Sequence, residues 1–128
     1  MTERKFTDPS IWHHCVCRFD SSDSWGGDRM RVWFDGEEET EFSMQTNPPQ
    51  NYADSSINKS GVQQTFNHMV EGECYMSYVH MIDGQALGPE HFAQINEDGD
   101  YKPIPYAGTY GNNGYHLAFE ASHIGEDL

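Results

Sequence analysis

The stretch that decides the fold runs from residue 75 to residue 119 and contains two runs, MIDGQAL at 81–87 and YAGTYGNNGYHLAF at 106–119. Residues 75–82 alternate so that apolar or aromatic side chains fall on both faces, which indicates a strand covered on both sides. Asp83-Gly84 follows as a turn pair. The second run ends in side chains at period two, which predict a last strand packing into a core: Tyr115, Leu117 and Phe119.

A second pattern, nearer the start of the chain, predicts a β-hairpin. Residues 11–20 and 29–35 read as strands, and Asp35-Gly36 is a strong turn signal that implies positive φ at both residues. The returning strand, residues 37–44, begins with three glutamates and is expected at an exposed edge. On the first strand, cysteine behaves as a small buried hydrophobe, so the expected core face carries Cys15, Cys17 and Phe19.

Both patterns resemble one domain. Runs similar to His80–Leu87 and Tyr106–Phe119, at the same spacing, occur in structural proteins of marine bacteriophages that carry a concanavalin-like, laminin-G-like β-sandwich. That domain also has a Trp-His-His strand, a loop and an Asp-Arg strand ending in Asp-Gly. The matching residues here are Trp12-His13-His14, then Asp28-Arg29 and Asp35-Gly36. The resemblance implies a fold and a virion setting, and it brings no catalytic residues.

The expected fold class is therefore all-β, a partial laminin-G-like antiparallel β-sandwich of the jelly-roll type with long loops. Residues 1–10 are expected to form an N-terminal arm, 11–119 the sandwich and 120–128 a C-terminal tail. The related domains carry further strands before the Trp-His-His strand and continue past the last one. We therefore expect a domain truncated at both ends, with a sheet edge or face left open.

Composition limits the expected partners. The net charge is −14, from 21 acidic and 7 basic residues. Because nucleic acids and anionic membranes are bound through Lys and Arg, neither is an expected partner. No run approaches the roughly 20 apolar residues of a membrane helix, and the polar start does not read as a secretory signal. Three cysteines do not make a disulfide framework, so we expect reduced thiols and assembly in the host cytoplasm.

Signals for catalysis or metal binding are weak, and no catalytic residue, metal or cofactor is predicted. The sequence has no Gly-x-Ser-x-Gly elbow, no His-Glu-x-x-His and no phosphate loop. His13 with Cys15 and Cys17 is one conceivable ligand group, but His14 faces the other side and no fourth ligand is evident, so packing is favoured. Asn96–Asp100 offers oxygen ligands, but its register differs from that of a Ca²⁺ loop, which favours a solvated turn.

The outer face of the first hairpin is the predicted partner contact. Trp and Arg are enriched at buried interface anchors, and four of them share this face: Trp12, Arg18, Arg31 and Trp33. The alternative is that a second sheet of the sandwich covers the tryptophans. In an incomplete sandwich we expect this face to bind another capsid or tail protein, or a copy of itself. The chain is then expected to be stable only in an assembly.

The expected function is that of a non-enzymatic virion structural protein, a small decoration or fibre-associated subunit on head or tail. The rival is a carbohydrate-binding, lectin-like module that recognises a host surface glycan. An aromatic platform with polar partners for a sugar would come from four residues: Tyr106, Tyr110, Asn112 and Asn113. Tyrosines flanked by glycine are also ordinary turn-packing residues, so a Tyr110-dependent glycan signal is the observation that separates the two.

Overall fold

A computed structural model describes residues 2–53, 59–63 and 75–119. The chain divides into two compact units, Met1–Ala53 with Ala86–Ala107 and Asp54–Gln85 with Gly108–Leu128. The described strands are β1 (Cys15–Phe19), β2 (Met30–Phe34), β3 (Glu37–Glu38), β4 (Val79–Met81), β5 (Ala93–Ile95), β6 (Tyr101–Pro103) and β7 (Tyr115–Leu117). Two 3-10 turns, Gly26–Asp28 and Pro89–His91, complete the regular structure of these ranges.

The regular secondary structure of the described residues is thus mostly strand with almost no helix, as the all-β prediction requires. In the run 88–92 a proline near the start favours a helical turn, and the structure has a 3-10 turn there at Pro89–His91. The expected tail, 120–128, lies outside the described residues. Within the described ranges, the structure contains no helix with the length and apolar character needed to cross a membrane.

The first unit contains a three-stranded antiparallel sheet in the order β1-β2-β3. Its register places Cys15 opposite Phe34 and Arg18 opposite Arg31. Side chains directly opposite one another share a face, so the register divides the sheet into a thiol side and an arginine side. The charged strand β3 lies at one end of the sheet, as its glutamates predicted, although it is shorter than expected.

The turn between β2 and β3 is the predicted two-residue hairpin. Asp35 has a φ of 51° and Gly36 a φ of 82°, the left-handed values that a type I′ turn requires at both positions. A Cβ at residue 36 would lie 2.9 Å from Cε2 of Tyr101. Glycine is therefore favoured here by backbone conformation and also by lack of space.

The prediction that Cys15 and Cys17 are buried in the core is wrong. Both thiols are exposed, and Phe19 on the same face is 45% exposed. The buried side chain of this sheet is Trp33, on the opposite face, at 8% exposure. An indole ring removes far more apolar surface from water than two thiols do, so packing favours the tryptophan side.

A second hairpin in the first unit pairs β5 with β6 and was not predicted as strands. Its turn is the acidic run 96–100, where the side-chain oxygen of Asn96 accepts the backbone N–H groups of Asp98 at 3.1 Å and Asp100 at 2.8 Å. The expected turn is therefore confirmed. Pro103, which lacks an N–H group, is the last residue of β6.

The segment predicted as an N-terminal arm lies along its own chain in the structure. Thr2 forms an isolated β-bridge with Phe42, and the ring of Phe6 meets that of Phe34 edge to face at 5.0 Å. Arg4 donates from Nε to the buried carboxylate of Glu39 at 2.9 Å. The start of the chain thus covers the hairpin end of the thiol side.

The second unit contains a two-stranded antiparallel sheet of β4 and β7, with His80 opposite His116. These strands fall inside the predicted ranges 75–82 and 115–119 and are shorter than expected. The backbone N–H of Asp83 donates to the carbonyl of Tyr110 at 2.8 Å, so the two sequence runs meet next to the sheet. Gly111, with a φ of 83°, approaches the Asp83 carbonyl so closely that a Cβ would clash with it.

Candidate interaction surfaces

Three of the four predicted partner-contact residues form a stack of their own. The guanidinium carbons of Arg31 and Arg18 lie 5.2 and 5.7 Å from the ring centroid of Trp33, within cation–π range. Arg18 and Arg31 are directly opposite across β1 and β2, where like charges repel. The negative face of the indole offsets that repulsion, and the ring of Trp33 is covered by side chains of this chain.

Glu38 neutralises one end of this stack. Arg31 donates from Nε to Oε1 of Glu38 at 2.6 Å, and its Nη2 bonds the second carboxylate oxygen. The hydrogen bond from Arg31 lowers the pKa of Glu38 below 4.5. Arg18 donates from Nη2 to the carbonyl of Asp28 at 3.3 Å, while its Nε is buried without a hydrogen-bond partner among the described residues.

Trp12 is the fourth predicted contact residue and takes no part in the described stack. It precedes β1 and is 67% exposed, whereas Trp33 is 8% exposed. The structure therefore brings Arg18, Arg31 and Trp33 together and leaves the indole of Trp12 open. Of the predicted set, Trp12 is the side chain with apolar surface that a partner can reach.

The other side of the same sheet exposes the three side chains predicted to be core, Cys15, Cys17 and Phe19, together with Met30. Phe19 and Met30 are directly opposite one another and are 45% and 46% exposed. They continue the exposed row that begins with Cys15 and Cys17. We refer to these four residues as the thiol face. No sequence pattern predicts this face, since an exposed cysteine pair and a buried one have the same alternation.

Two histidines meet Asp35 beside the first hairpin turn. Nδ1 of His13 lies 2.7 Å from Oδ2 of Asp35, and the backbone N–H of His14 donates to Oδ1 at 2.8 Å. Partial burial raises the pKa of Asp35, but these hydrogen bonds outweigh it and lower the pKa below 3.8. The His14 ring lies 5.5 Å from that of Tyr101, and burial lowers the pKa of His14 below its ordinary value, which favours the neutral ring.

The described ranges contain no group of three or more His, Cys, Asp or Glu residues placed to hold a metal ion. The His13 ring lies 4.3 Å from that of Phe6, on the thiol side of the sheet, and the His14 ring packs on Tyr101. The adjacent histidines thus have different surroundings, as strand alternation predicts.

The two tyrosines of the predicted glycan site both pack against neighbours. Tyr106, in the first unit, is half-buried and its ring lies 5.1 Å from that of Phe92. Tyr110, in the second unit, is half-buried and its hydroxyl lies 2.8 Å from Nδ1 of His80. Each ring therefore has one face occupied by its own unit, which leaves less aromatic surface for a sugar to stack on.

The two asparagines of the predicted glycan site lie in the second unit and are exposed. The backbone N–H of Asn113 donates to Oδ2 of Asp83 at 3.1 Å, while Asn112 is its neighbour in the same bend. The Gln85 side chain donates to the carbonyl of Thr109 at 2.9 Å. The Asp and Gln of the first sequence run therefore hold the glycine-rich loop of the second.

A row of four stacked rings in the second unit was not predicted. His80 and His116 lie 4.3 Å apart with an interplanar angle of 6°. Tyr110 stacks 5.9 Å from His80, and Tyr78 stacks 6.2 Å from His116. Only the register of β4 with β7 brings the histidines together, and that register is not readable from either run alone.

No family model, no curated protein and no solved structure matches this chain.

Proposed function

We propose that this chain is a non-enzymatic structural protein of a bacteriophage virion, a decoration or fibre-associated subunit on head or tail. We further propose that it is built on part of a laminin-G-like β-sandwich. The virion setting rests on the two runs around MIDGQAL and YGNNGYHL. Asp83 and Gln85 of the first run bond directly to residues of the second, so the runs act as one structural feature.

The observation that supports assembly with a neighbouring protein is the number of large apolar side chains that are exposed to solvent. In the part of the chain that the structure describes, fourteen large apolar side chains are exposed. The buried apolar residues there are Trp33, Phe92, Ala93 and Ala118. Burial of apolar surface is the main term that offsets chain entropy. A neighbour that covers the exposed side chains would supply the missing stabilisation.

The proposed contact is the predicted set Trp12, Arg18, Arg31 and Trp33, with Trp12 as its apolar anchor. Trp12 has an open indole, and tryptophans of this kind are frequent anchors of interfaces. The neighbour is another virion protein or a second copy of the chain. With a net charge of −14, two copies repel at long range, so self-association should strengthen as salt screens that repulsion.

The location of the protein is tested first, by mass spectrometry of purified particles with the copy number measured against the major capsid protein. Recovery in particles at a fixed, stoichiometric ratio is expected. Complete absence from purified particles would overturn the virion proposal.

The assembly is tested by sedimentation velocity of the isolated chain at low and physiological salt, combined with amide hydrogen exchange. We expect a poorly protected monomer, or association that increases with salt. Trp12→Ala should weaken assembly into particles, whereas the matched control Trp25→Ala, also a highly exposed tryptophan, should not. A monomer with fully protected β1 and β2 at micromolar concentration would refute this part.

The alternative function, a lectin-like module, is proposed second because Tyr106 and Tyr110 already pack on neighbouring rings. It is tested on a glycan array with the isolated chain. Binding that is lost in Tyr110→Ala and retained in the control Tyr52→Ala, an exposed tyrosine elsewhere, would favour the lectin.

A further inference from the structure

The first residues of the chain occupy a site beside the first sheet. We refer to residues 2–6 as the arm and to the residues that hold it as the arm site, namely Phe34, Glu37, Glu39, Glu41 and Phe42. Thr2 forms an antiparallel bridge with Phe42, and the backbone N–H of Glu3 donates to the carbonyl of Glu41 at 3.0 Å. The ring of Phe6 meets that of Phe34 edge to face at 5.0 Å. Backbone pairing combined with side-chain contacts is a common way for a protein to bind an extended peptide.

An ion pair fixes the arm in this site. Arg4 donates from Nε to Oε2 of Glu39 at 2.9 Å, and its Nη2 lies 3.6 Å from a carboxylate oxygen of Glu37. Glu39 is 5% exposed, and the hydrogen bond from Arg4 lowers the pKa of its carboxyl group, which keeps the group charged at neutral pH. A buried charge is unfavourable without a partner of opposite sign. The arm site therefore requires a segment that carries arginine, whichever chain supplies it.

The hinge that joins the arm to the first strand is exposed and irregular. Residues 7–12 contain no helix or strand and are exposed throughout. The turn in this hinge is held by hydrogen bonds between exposed groups, since the Asp8 side chain accepts the backbone N–H of Ser10 at 2.9 Å and its hydroxyl at 2.6 Å. Six extended residues span about 20 Å, which is enough to carry the arm to a neighbouring chain. The hinge also holds two exposed apolar side chains, Ile11 at 56% and Trp12 at 67% exposure.

We propose that two copies of this chain exchange their arms, so that the arm of each copy occupies the arm site of the other. The proposal specifies one neighbour in the assembly described above and therefore rests on the proposed function. Exchange keeps every contact of the arm, because the two arm sites are identical and only the hinge changes its path. The exchanged pair can also bury Ile11 and Trp12, which are exposed in the single chain. That burial offsets the freedom that two chains lose on association.

Local charge favours this contact over others between two copies. Chains with a net charge of −14 repel one another at long range. The arm has a net charge of +1, from Arg4 and Lys5 against Glu3, whereas the arm site carries three carboxylates. The arm of one copy is therefore attracted to the arm site of the other, although the two chains as wholes repel.

The first test locates the arm with an engineered disulfide. Residues opposite one another in an antiparallel pair have Cα atoms about 4.5–5.5 Å apart, a separation that a disulfide spans. Thr2→Cys and Phe42→Cys are combined in a parent that lacks the natural thiols through Cys15→Ser, Cys17→Ser and Cys74→Ser. After mild oxidation at physiological salt, exchanged arms give a covalent dimer on a non-reducing gel, whereas arms that stay in their own chain give an internally bridged monomer. Thr2→Cys alone in the same parent measures the dimer formed by random collision.

The second test reverses the charges of the ion pair. Arg4→Glu sets two carboxylates against each other and Glu39→Arg sets two guanidinium groups against each other, so neither variant holds its own arm. In an equimolar mixture of the two, exchange restores opposite charges at both arm sites. The chain with both reversals restores the pair within one chain and is the matched control, which should sediment as the natural chain does. Circular dichroism establishes that each variant keeps its secondary structure.

We expect a covalent dimer of twice the chain mass from the cysteine pair, and a dimer in the mixture that neither charge variant forms alone. The cysteine pair keeps Arg4 and Glu39, so it tests the exchange even if a charge reversal prevents folding. Internally bridged monomers at every protein concentration would overturn the proposal. So would a mixture of folded variants with no more dimer than its components. These failures are distinct from that of the virion setting, which would be shown by absence of the protein from purified particles.

Discussion

Replacing Gly36 by alanine should destabilise the first unit more than the same change at Gly99. Both glycines lie in hairpin turns and have left-handed φ values, 82° and 87°. At Gly99 an added Cβ meets open space, whereas at Gly36 it would lie 2.9 Å from Cε2 and 3.1 Å from Cζ of Tyr101. The pair therefore separates the cost of backbone conformation from the cost of a steric contact.

The magnitudes follow from the two terms. A left-handed backbone costs an L-residue about 1–2 kcal/mol, and Gly→Ala returns about 0.4–1 kcal/mol by restricting the unfolded chain. Gly99→Ala should thus lower the free energy of unfolding by about 0–1.6 kcal/mol. Gly36→Ala must also displace the Tyr101 ring from its rotamer, which adds about 0.5–1.5 kcal/mol. Gly36→Val should cost more again, because a β-branched residue resists positive φ.

The assay is urea or thermal unfolding of both alanine variants, in the natural chain and in a Tyr101→Ala background. A loss of 1 kcal/mol corresponds to a Tm lower by about 2–8 °C for domains of this size range. In the Tyr101→Ala background, Gly36→Ala should cost no more than Gly99→Ala, since the cycle removes the contact. Equal costs of the two variants in the natural chain would refute the contact with Tyr101. No cost at Gly36 in either background would refute the left-handed turn.

Three further outcomes are expected. Because burial lowers the folded-state pKa of His14 below its unfolded value of 6.5, the unfolded chain binds more protons than the folded chain. Stability should therefore fall as the pH drops below about 6.5. The prediction is contradicted if the urea midpoint of His14→Gln depends on pH as strongly as that of the natural chain. Glu38→Gln should lower the free energy of unfolding by no more than about 0.5–1 kcal/mol at pH 7, because the ion pair of Glu38 with Arg31 is partly exposed and screened. The folded-state pKa of Glu38 is lowered, so this cost should vanish as the pH falls through that pKa. Unchanged unfolding curves at pH 7 would argue against the pair. Cys15 and Cys17 should both react rapidly with maleimide in the native protein, and Cys17 should react first near pH 7. Protection of either thiol until global unfolding would show that this face of the strand is covered.

Local signals predicted local structure well. Asp35-Gly36 specified its own turn, since only left-handed residues close a two-residue hairpin. The acidic run at 96–100 likewise specified a turn through the short side chain of Asn96, which bonds backbone groups close in sequence. Each of these features depends on neighbours along the chain, which is the information that a sequence pattern carries.

Features that depend on distant neighbours were not predictable in the same way. Alternation in β1 identified two faces of the strand. Which of them is buried depends on Trp33 and on arginines of two different strands. The pairing of His80 with His116 required a register between strands far apart in sequence. The predicted contact set was accordingly divided, with Trp12 open and Trp33 covered.

The covering of Trp33 by two guanidinium groups gives the protein an intrinsic optical reporter. Its emission comes from three tryptophans, of which Trp12 and Trp25 face solvent and Trp33 does not. A soluble quencher such as acrylamide should divide the fluorescence into an accessible and a shielded fraction. If a neighbouring protein covers Trp12, the fluorescence of Trp12 moves from the accessible to the shielded fraction, and its emission shifts to shorter wavelength. Occupancy of the contact can then be followed without a label, in dilute solution and in intact particles alike.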